Sequence, residues 1–285
     1  LPRLPGGPRR LGDRAAVRAG LRVERERRRC HTWPVMRPSD NRPSDGAVVE
    51  FLRAHHGGEP AGLEPLSGGF WSAAYGYRLG ADELVLRIND DPDGFRADEA
   101  AMAHGSAALP VPEVLTVAEG FGRWIAVSRR HHGRFLEDVG PDEADALRPT
   151  AVDLLAALRA VADTGVETEP WHDWLLDGIT DRPGRHTSGW RARLATDPAA
   201  ARTFRAADDR LRSLLEACPD RRQLVHGDLL HHNVLVTEEA DTVSAVFSWK
   251  CATWGDALYD LAWCTFWGRW HPGIGALGLW DRVVP

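Results

Sequence analysis

Apolar positions along the first half of the chain change period several times, and each change marks an element. Over residues 48–55 they recur at helical spacing. Short strand-like runs follow at 66–71, 73–79 and 83–89, and within the second Tyr75, Tyr77 and Leu79 alternate as the side chains of a half-buried strand must. Helical character returns over 95–105, is broken by Pro110 and Pro112, and gives way to strand-like sequence at 114–117 and 123–128. These elements predict a small antiparallel sheet carrying one helix. From about residue 131 the pattern is mainly helical, with segments at 151–162, 191–194 and 206–217 and a loop bearing Gly and Pro near 178–189. A short hairpin over 233–249 is embedded in that helical half, so the chain reads as α+β.

Composition narrows the class. The 285 residues are 43% hydrophobic and 27% charged, ordinary values for a soluble globular chain long enough for two lobes. No apolar run approaches the 18 or more residues of a membrane span, and the arginine-rich start lacks the apolar core of a secretory signal, so a cytoplasmic location and no membrane partner are expected. Cys30, Cys218, Cys251 and Cys264 lie far apart without paired spacing, which argues against a disulfide framework or a zinc knuckle.

Charge separates the start from the body. Residues 1–35 hold ten arginines against Asp13, Glu24 and Glu26, a local +7 that leaves −13 on residues 36–285 out of the formal −6. An acidic body repels nucleic acid and suits a cationic small substrate. The leader, 1–44, reads as disordered or non-native, with Met36 the first candidate start.

The chemistry concentrates in His226-Gly227-Asp228-Leu229-Leu230-His231-His232-Asn233, followed by the apolar run Val234-Leu235-Val236. An Asp and an Asn five residues apart before such a run are placed as a general base and a metal-binding amide beside a nucleotide. The next strand should end in a metal-binding Asp; Ser248 holds that position. A neutral hydroxyl is a weaker ligand for a hard cation than a carboxylate. Lys250, the single lysine, either adds positive charge near the phosphates or faces solvent. Ser67, Gly68 and Gly69, between two strands, either cover phosphates or form a plain turn. Arg87 on its strand either meets phosphates or is a surface cation, and Glu99 either orients Arg87 or is solvated. His131 and His132 are expected to be solvated, and the adjacent His231 and His232 do not suit one zinc ion together with His226.

Taken in order, these motifs resemble the aminoglycoside phosphotransferases. The resemblance spans roughly 45–270 and is carried by Leu84-Val85-Leu86-Arg87-Ile88-Asn89, Leu109-Pro110-Val111-Pro112-Glu113-Val114, Ile125-Ala126-Val127-Ser128, Leu224-Val225-His226-Gly227-Asp228, Asn233-Val234-Leu235, Trp254-Gly255-Asp256 and Tyr259-Asp260. It implies a protein-kinase-like two-lobe fold: an N-terminal nucleotide-binding lobe at 45–130, and a helical catalytic and substrate lobe at 131–285 that is short at its C-terminal end. That shortening would expose the Trp-rich segment 258–270.

By the same resemblance, Asp228 would take or orient the proton of an attacking hydroxyl, and Asn233 would bind Mg2+ with Ser248 at the second metal position. Arg87 and Glu99, with Ser67, Gly68 and Gly69, would serve the phosphates of ATP or GTP. The backbone near Val127 and Ser128 would receive the purine, His226 would be scaffold, and Asp256 and Asp260 would be structural. The implied reaction is phosphate transfer to a hydroxyl of an aminoglycoside-like cationic molecule. The second reading is a catalytically impaired or inactive kinase-fold binding protein or remnant, motivated by Ser248 and the early end. Oligomeric state is left open.

Overall fold

The computed structural model describes residues 42–66, 72–165, 168–182 and 188–283. Most of the expected leader, together with Ser67, Gly68 and Gly69, lies outside them. Residues 43–285 form one compact unit.

Five antiparallel strands, β1 (Ala61–Leu66), β2 (Ala73–Leu79), β3 (Asp82–Asn89), β4 (Val114–Gly120) and β5 (Arg123–Arg129), pair in the order β1-β2-β3-β5-β4. The first strand ends where the sequence pattern begins it: Pro65, a residue that disfavours central strands, is accommodated because β1 is an edge. Pleating divides the sheet chemically. Tyr75, Tyr77, Leu84, Leu86, Ile88, Ile125 and Val127 point to one face and pack with Val48 and Leu52 of helix α1 (Asp45–His56) into one apolar core. Ser44 caps α1 by accepting from Ala47 N at 3.3 Å, and Gly57, at φ +65°, ends it. The alternate residues Ala74, Gly76, Val85, Arg87 and Ser128 occupy the other face, where small and polar side chains leave room for a cleft.

Helix α2 (Asp93–Ala101) follows β3 and buries Phe95, Asp98 and Ala101. Beyond the sheet, β6 (Arg134–Phe135) leads into α3 (Ala144–Ala160), which presents Leu147, Ala151, Leu154 and Leu158 along one stripe to a second core. Short helices α4 (Trp171–Asp177) and α5 (Trp190–Ala195) precede α6 (Pro198–Leu215). That last helix starts earlier than its apolar pattern suggests, because Asp197 accepts from Ala199 N and Ala200 N and Pro198 fits the first turn.

Strand β7 (Gln223–Val225) pairs with β10 (Thr253–Gly255), and between them β8 (Val234–Val236) and β9 (Val243–Val246) form the expected hairpin. Helix α7 (Leu258–Trp267) buries Leu261 and Cys264 but leaves Phe266 57% and the following Trp270 38% exposed. No helix among the described residues is long and apolar enough to cross a membrane.

Candidate active site

The loop after β7 is built by one buried carboxylate. Asp260 of α7, 1% exposed, accepts the backbone N–H groups of His226 at 2.8 Å and Gly227 at 2.9 Å. Burial pushes its carboxyl up to about 6 despite those two donors. His226 is fully buried. Its Nδ1 accepts from Asp228 N at 3.2 Å, which leaves Nε2 to donate to Phe247 O at 3.1 Å and fixes the neutral tautomer. Burial lowers this imidazole to about 4, so it is scaffold and not a base at neutral pH. Gly227 takes φ +82°, and a Cβ there would stand 2.6 Å from Cys251 O; backbone meets backbone at this point.

The loop then presents Asp228. Its Oδ1 lies 2.6 Å from His231 Nδ1, while Asn233 Nδ2 donates to Asp228 Oδ2 at 3.1 Å and to Asp228 O at 2.9 Å. The hydrogen bond to Asp228 raises the His231 pKa, against its partial burial. His231 and His232 adopt φ +61° and +67°, left-handed conformations unfavourable for non-glycine residues and tolerated where neighbours over-determine them. His231 is held edge-on to Trp267 at 4.9 Å, and His232 N–H donates to Glu137 Oε1 at 2.7 Å.

Antiparallel register brings Asn233 and Ser248 to one end of the hairpin: Val234 pairs with Val246, and Phe247 N–H donates to Asn233 O at 3.0 Å. Ser248 is half-buried at φ +70°. Asn233 directs its NH2 group at Asp228, leaving Oδ1 uncommitted. Hard neutral oxygens from Asn233 and Ser248 suit magnesium in kind, but add no negative charge to it. No cluster of three His, Cys, Asp or Glu side chains suited to a metal occurs among the described residues.

Arg87 pairs with Asp98, Nη1 to Oδ2 at 2.6 Å, and Asp98 Oδ1 accepts Trp249 N–H at 2.8 Å. The carboxylate that orients Arg87 is therefore Asp98 and not Glu99, which is exposed. Helical phase is the reason: Phe95, Asp98 and Ala101 share the buried stripe, and one further residue turns about 100° away from it. That stripe was the available signal. Lys250 faces solvent and does not line the cleft; it forms an ion pair with Asp91 just before α2.

A cleft of about 290 Å³ lies between the sheet and the hairpin. Leu66, Ala74 and Val85 form its sheet side, Leu235, Val246 and Phe247 its hairpin side, and Arg87, Asp98 and Ser128 also line it. Val127 does not, since pleating turns its side chain into the sheet's core. The backbone of 126–128 lies between β3 and β4, and Arg129 N–H donates to Glu113 O at 2.9 Å. The cleft is lined by the continuous segment from Ser128 to Gly133. His131 is half-buried, with Nδ1 2.6 Å from Ser244 O, whereas His132 is exposed as expected, with Nε2 2.8 Å from Glu83 Oε2.

Residues 62–282 match the family model described as "Phosphotransferase enzyme family". The chain belongs to this phosphotransferase family. It is 34% identical over 223 residues to hygromycin-B 4-O-kinase of Escherichia coli, covering 73% of this chain and 63% of that protein. It is 29% identical over 244 residues to acyl-CoA dehydrogenase family member 11 of Gallus gallus, covering 77% of this chain and 30% of that protein. The match thus spans less than two thirds of each of these relatives. Among phosphotransferases of known structure, aminoglycoside phosphotransferase APH(4)-Ia superposes with a TM-score of 0.73 at 28% identity over 85% of this chain and 84% of that one. A thermostable mutant of the same enzyme, in ternary complex with AMP-PNP and hygromycin B, gives 0.70 at 30% identity over 81% and 80%. The α+β kinase-like architecture read from the sequence is the architecture of these phosphotransferases.

Proposed function

We propose that this protein moves the terminal phosphate of a nucleotide, ATP or GTP, to a hydroxyl of a cationic, aminoglycoside-like small molecule. The observation that carries the reading is the Asp228–Asn233 pair on a loop fixed by Asp260, with His232 of that loop and Arg87 of the sheet both lining one cleft. Family membership and the ligands of the APH(4)-Ia complex support the same chemistry.

In this mechanism the nucleotide enters between Val85 and Val246. Arg87, oriented by Asp98, turns its cationic edge to the phosphates. Asp228 accepts the proton of the acceptor hydroxyl as its oxygen attacks the terminal phosphorus in line, the bond from that phosphorus to the bridging oxygen breaks and the nucleoside diphosphate leaves, and positioning supplies most of the rate. His231 holds the carboxylate in place until a hydroxyl replaces its hydrogen bond. Asn233 and Ser248 would hold magnesium, which when bound neutralises charge on the phosphates. The acidic body attracts the cationic acceptor. A cytoplasmic location, where nucleotide is abundant, fits the reading and the unpaired state of Cys218, Cys251 and Cys264.

The test is nucleotide consumption by the full chain against an aminoglycoside panel that includes hygromycin B, for the natural protein and for Ser248→Asp. Acceptor-dependent turnover that is larger in the variant is the expected result. Its absence in a folded Ser248→Asp protein overturns the proposal.

A further inference from the structure

Arg87 shares the cleft with other cations. Arg130 follows β5, its backbone N–H held by Glu83 O at 2.9 Å. Its side chain runs back across the cleft face of the sheet to the edge strand, where Nη1 meets Glu64 Oε1 at 2.5 Å. Gly76 lies beneath, directly opposite both Glu64 and Val85 in the strand register. A Cβ at position 76 would stand 2.6 Å from Arg130 Nη1 and 3.1 Å from its Cζ. The guanidinium occupies the volume a side chain at position 76 would fill, so a larger residue there would displace it. The side chain of Arg130 is 20% exposed, yet it lines the cleft beside Leu66, Ala74 and Val85.

We infer that Arg130 is a recognition residue for the base of the bound nucleotide, its guanidinium extending the apolar wall with a planar cation on which a purine stacks. The inference rests on the reading of this cleft as a nucleotide site. Guanidinium is flat and weakly hydrated, and its face stacks on aromatic rings in a way that an ammonium group does not reproduce. Glu64 fixes the plane before any ligand arrives, so little rotamer freedom is left to lose on binding. A polyphosphate without a base has no ring to stack and is served by Arg87 instead. Arg130 therefore separates recognition of the nucleoside from recognition of the phosphates.

Calorimetric titration of the full chain with adenosine, guanosine and inorganic tripolyphosphate tests this. Arg130→Lys keeps the charge and removes the plane; Gly76→Ala keeps the arginine and displaces it. Both are expected to weaken nucleoside binding about tenfold and to leave tripolyphosphate within about twofold. Two variants acting by different routes guard against a folding defect, which a thermal unfolding scan of each reads directly. Nucleoside affinity unchanged in a folded Arg130→Lys protein, or lost in proportion with tripolyphosphate, overturns the inference while the nucleotide reading stands. A natural protein that binds neither nucleoside nor tripolyphosphate overturns that reading, and this inference with it.

Discussion

The two loops that flank the β8–β9 hairpin are built to different standards. On one, Asp228 is held by His231 and Asn233, and the loop beneath is held by Asp260 and a neutral, buried His226. On the other, Ser248 keeps a left-handed backbone and a well-anchored successor, Trp249, but contributes no charge. Geometry is preserved on both sides, whereas electrostatics is complete only on the first. The contrast teaches that scaffold and charge are separable features of such a site, and it can be tested on each side.

The largest effect belongs to the complete side. Asp228→Asn is expected to lower turnover about 10³-fold while nucleotide affinity stays within a few fold, because the lost carboxylate acts on the incoming hydroxyl. Steady-state kinetics beside nucleotide titration measures both. Equal losses in turnover and affinity would contradict the assignment of roles.

Next is the scaffold beneath it. His226 has a folded pKa of about 4 against 6.5 for a free imidazole, so as pH falls through this window the unfolded chain takes up the proton first and stability is lost. The advantage of the natural protein over His226→Gln should shrink by about 3 kcal/mol between pH 7.5 and pH 4, read by chemical denaturation at several pH values. Asp260, whose raised value works in the opposite direction, is present in both proteins and cancels in the difference.

On the incomplete side, Ser248→Asp should raise turnover about ten- to hundredfold and lower the magnesium concentration needed for half-maximal rate. In an Asp228→Asn background the gain should vanish, since both groups serve one transition state. A double variant as active as Ser248→Asp alone would remove Asp228 from the mechanism.

The smallest effect checks the link from sheet to hairpin. Asp98→Asn is expected to cost about tenfold in turnover by releasing Arg87 and Trp249 N–H together, whereas Glu99→Gln should change it less than about twofold. A loss in Glu99→Gln as large as that in Asp98→Asn would contradict the assignment of Asp98 as the carboxylate that orients Arg87.

Much of this was legible in the sequence because period and spacing are local quantities. Alternation of Tyr75, Tyr77 and Leu79 foretold the sheet, and the five-residue step from Asp228 to Asn233 foretold a loop with two converging side chains. What escaped depends on phase and on distant partners. Glu99 and Asp98 differ by one helical step, which only the buried stripe distinguishes. Val127 and Ser128 are neighbours that pleating sends to opposite faces. Lys250 finds Asp91 across 159 positions of chain, and no local pattern encodes such a pairing.

The backbone contact between Gly227 and Cys251 sets which positions of the site can be exchanged freely. It joins the base loop to the segment beyond Ser248 without involving any side chain at position 248. Exchanging Ser248 for Asp therefore alters the charge of the site while leaving the contact that joins the two loops in place. Gly227 has no such latitude, because any Cβ there would meet the Cys251 carbonyl at 2.6 Å and push the two loops apart.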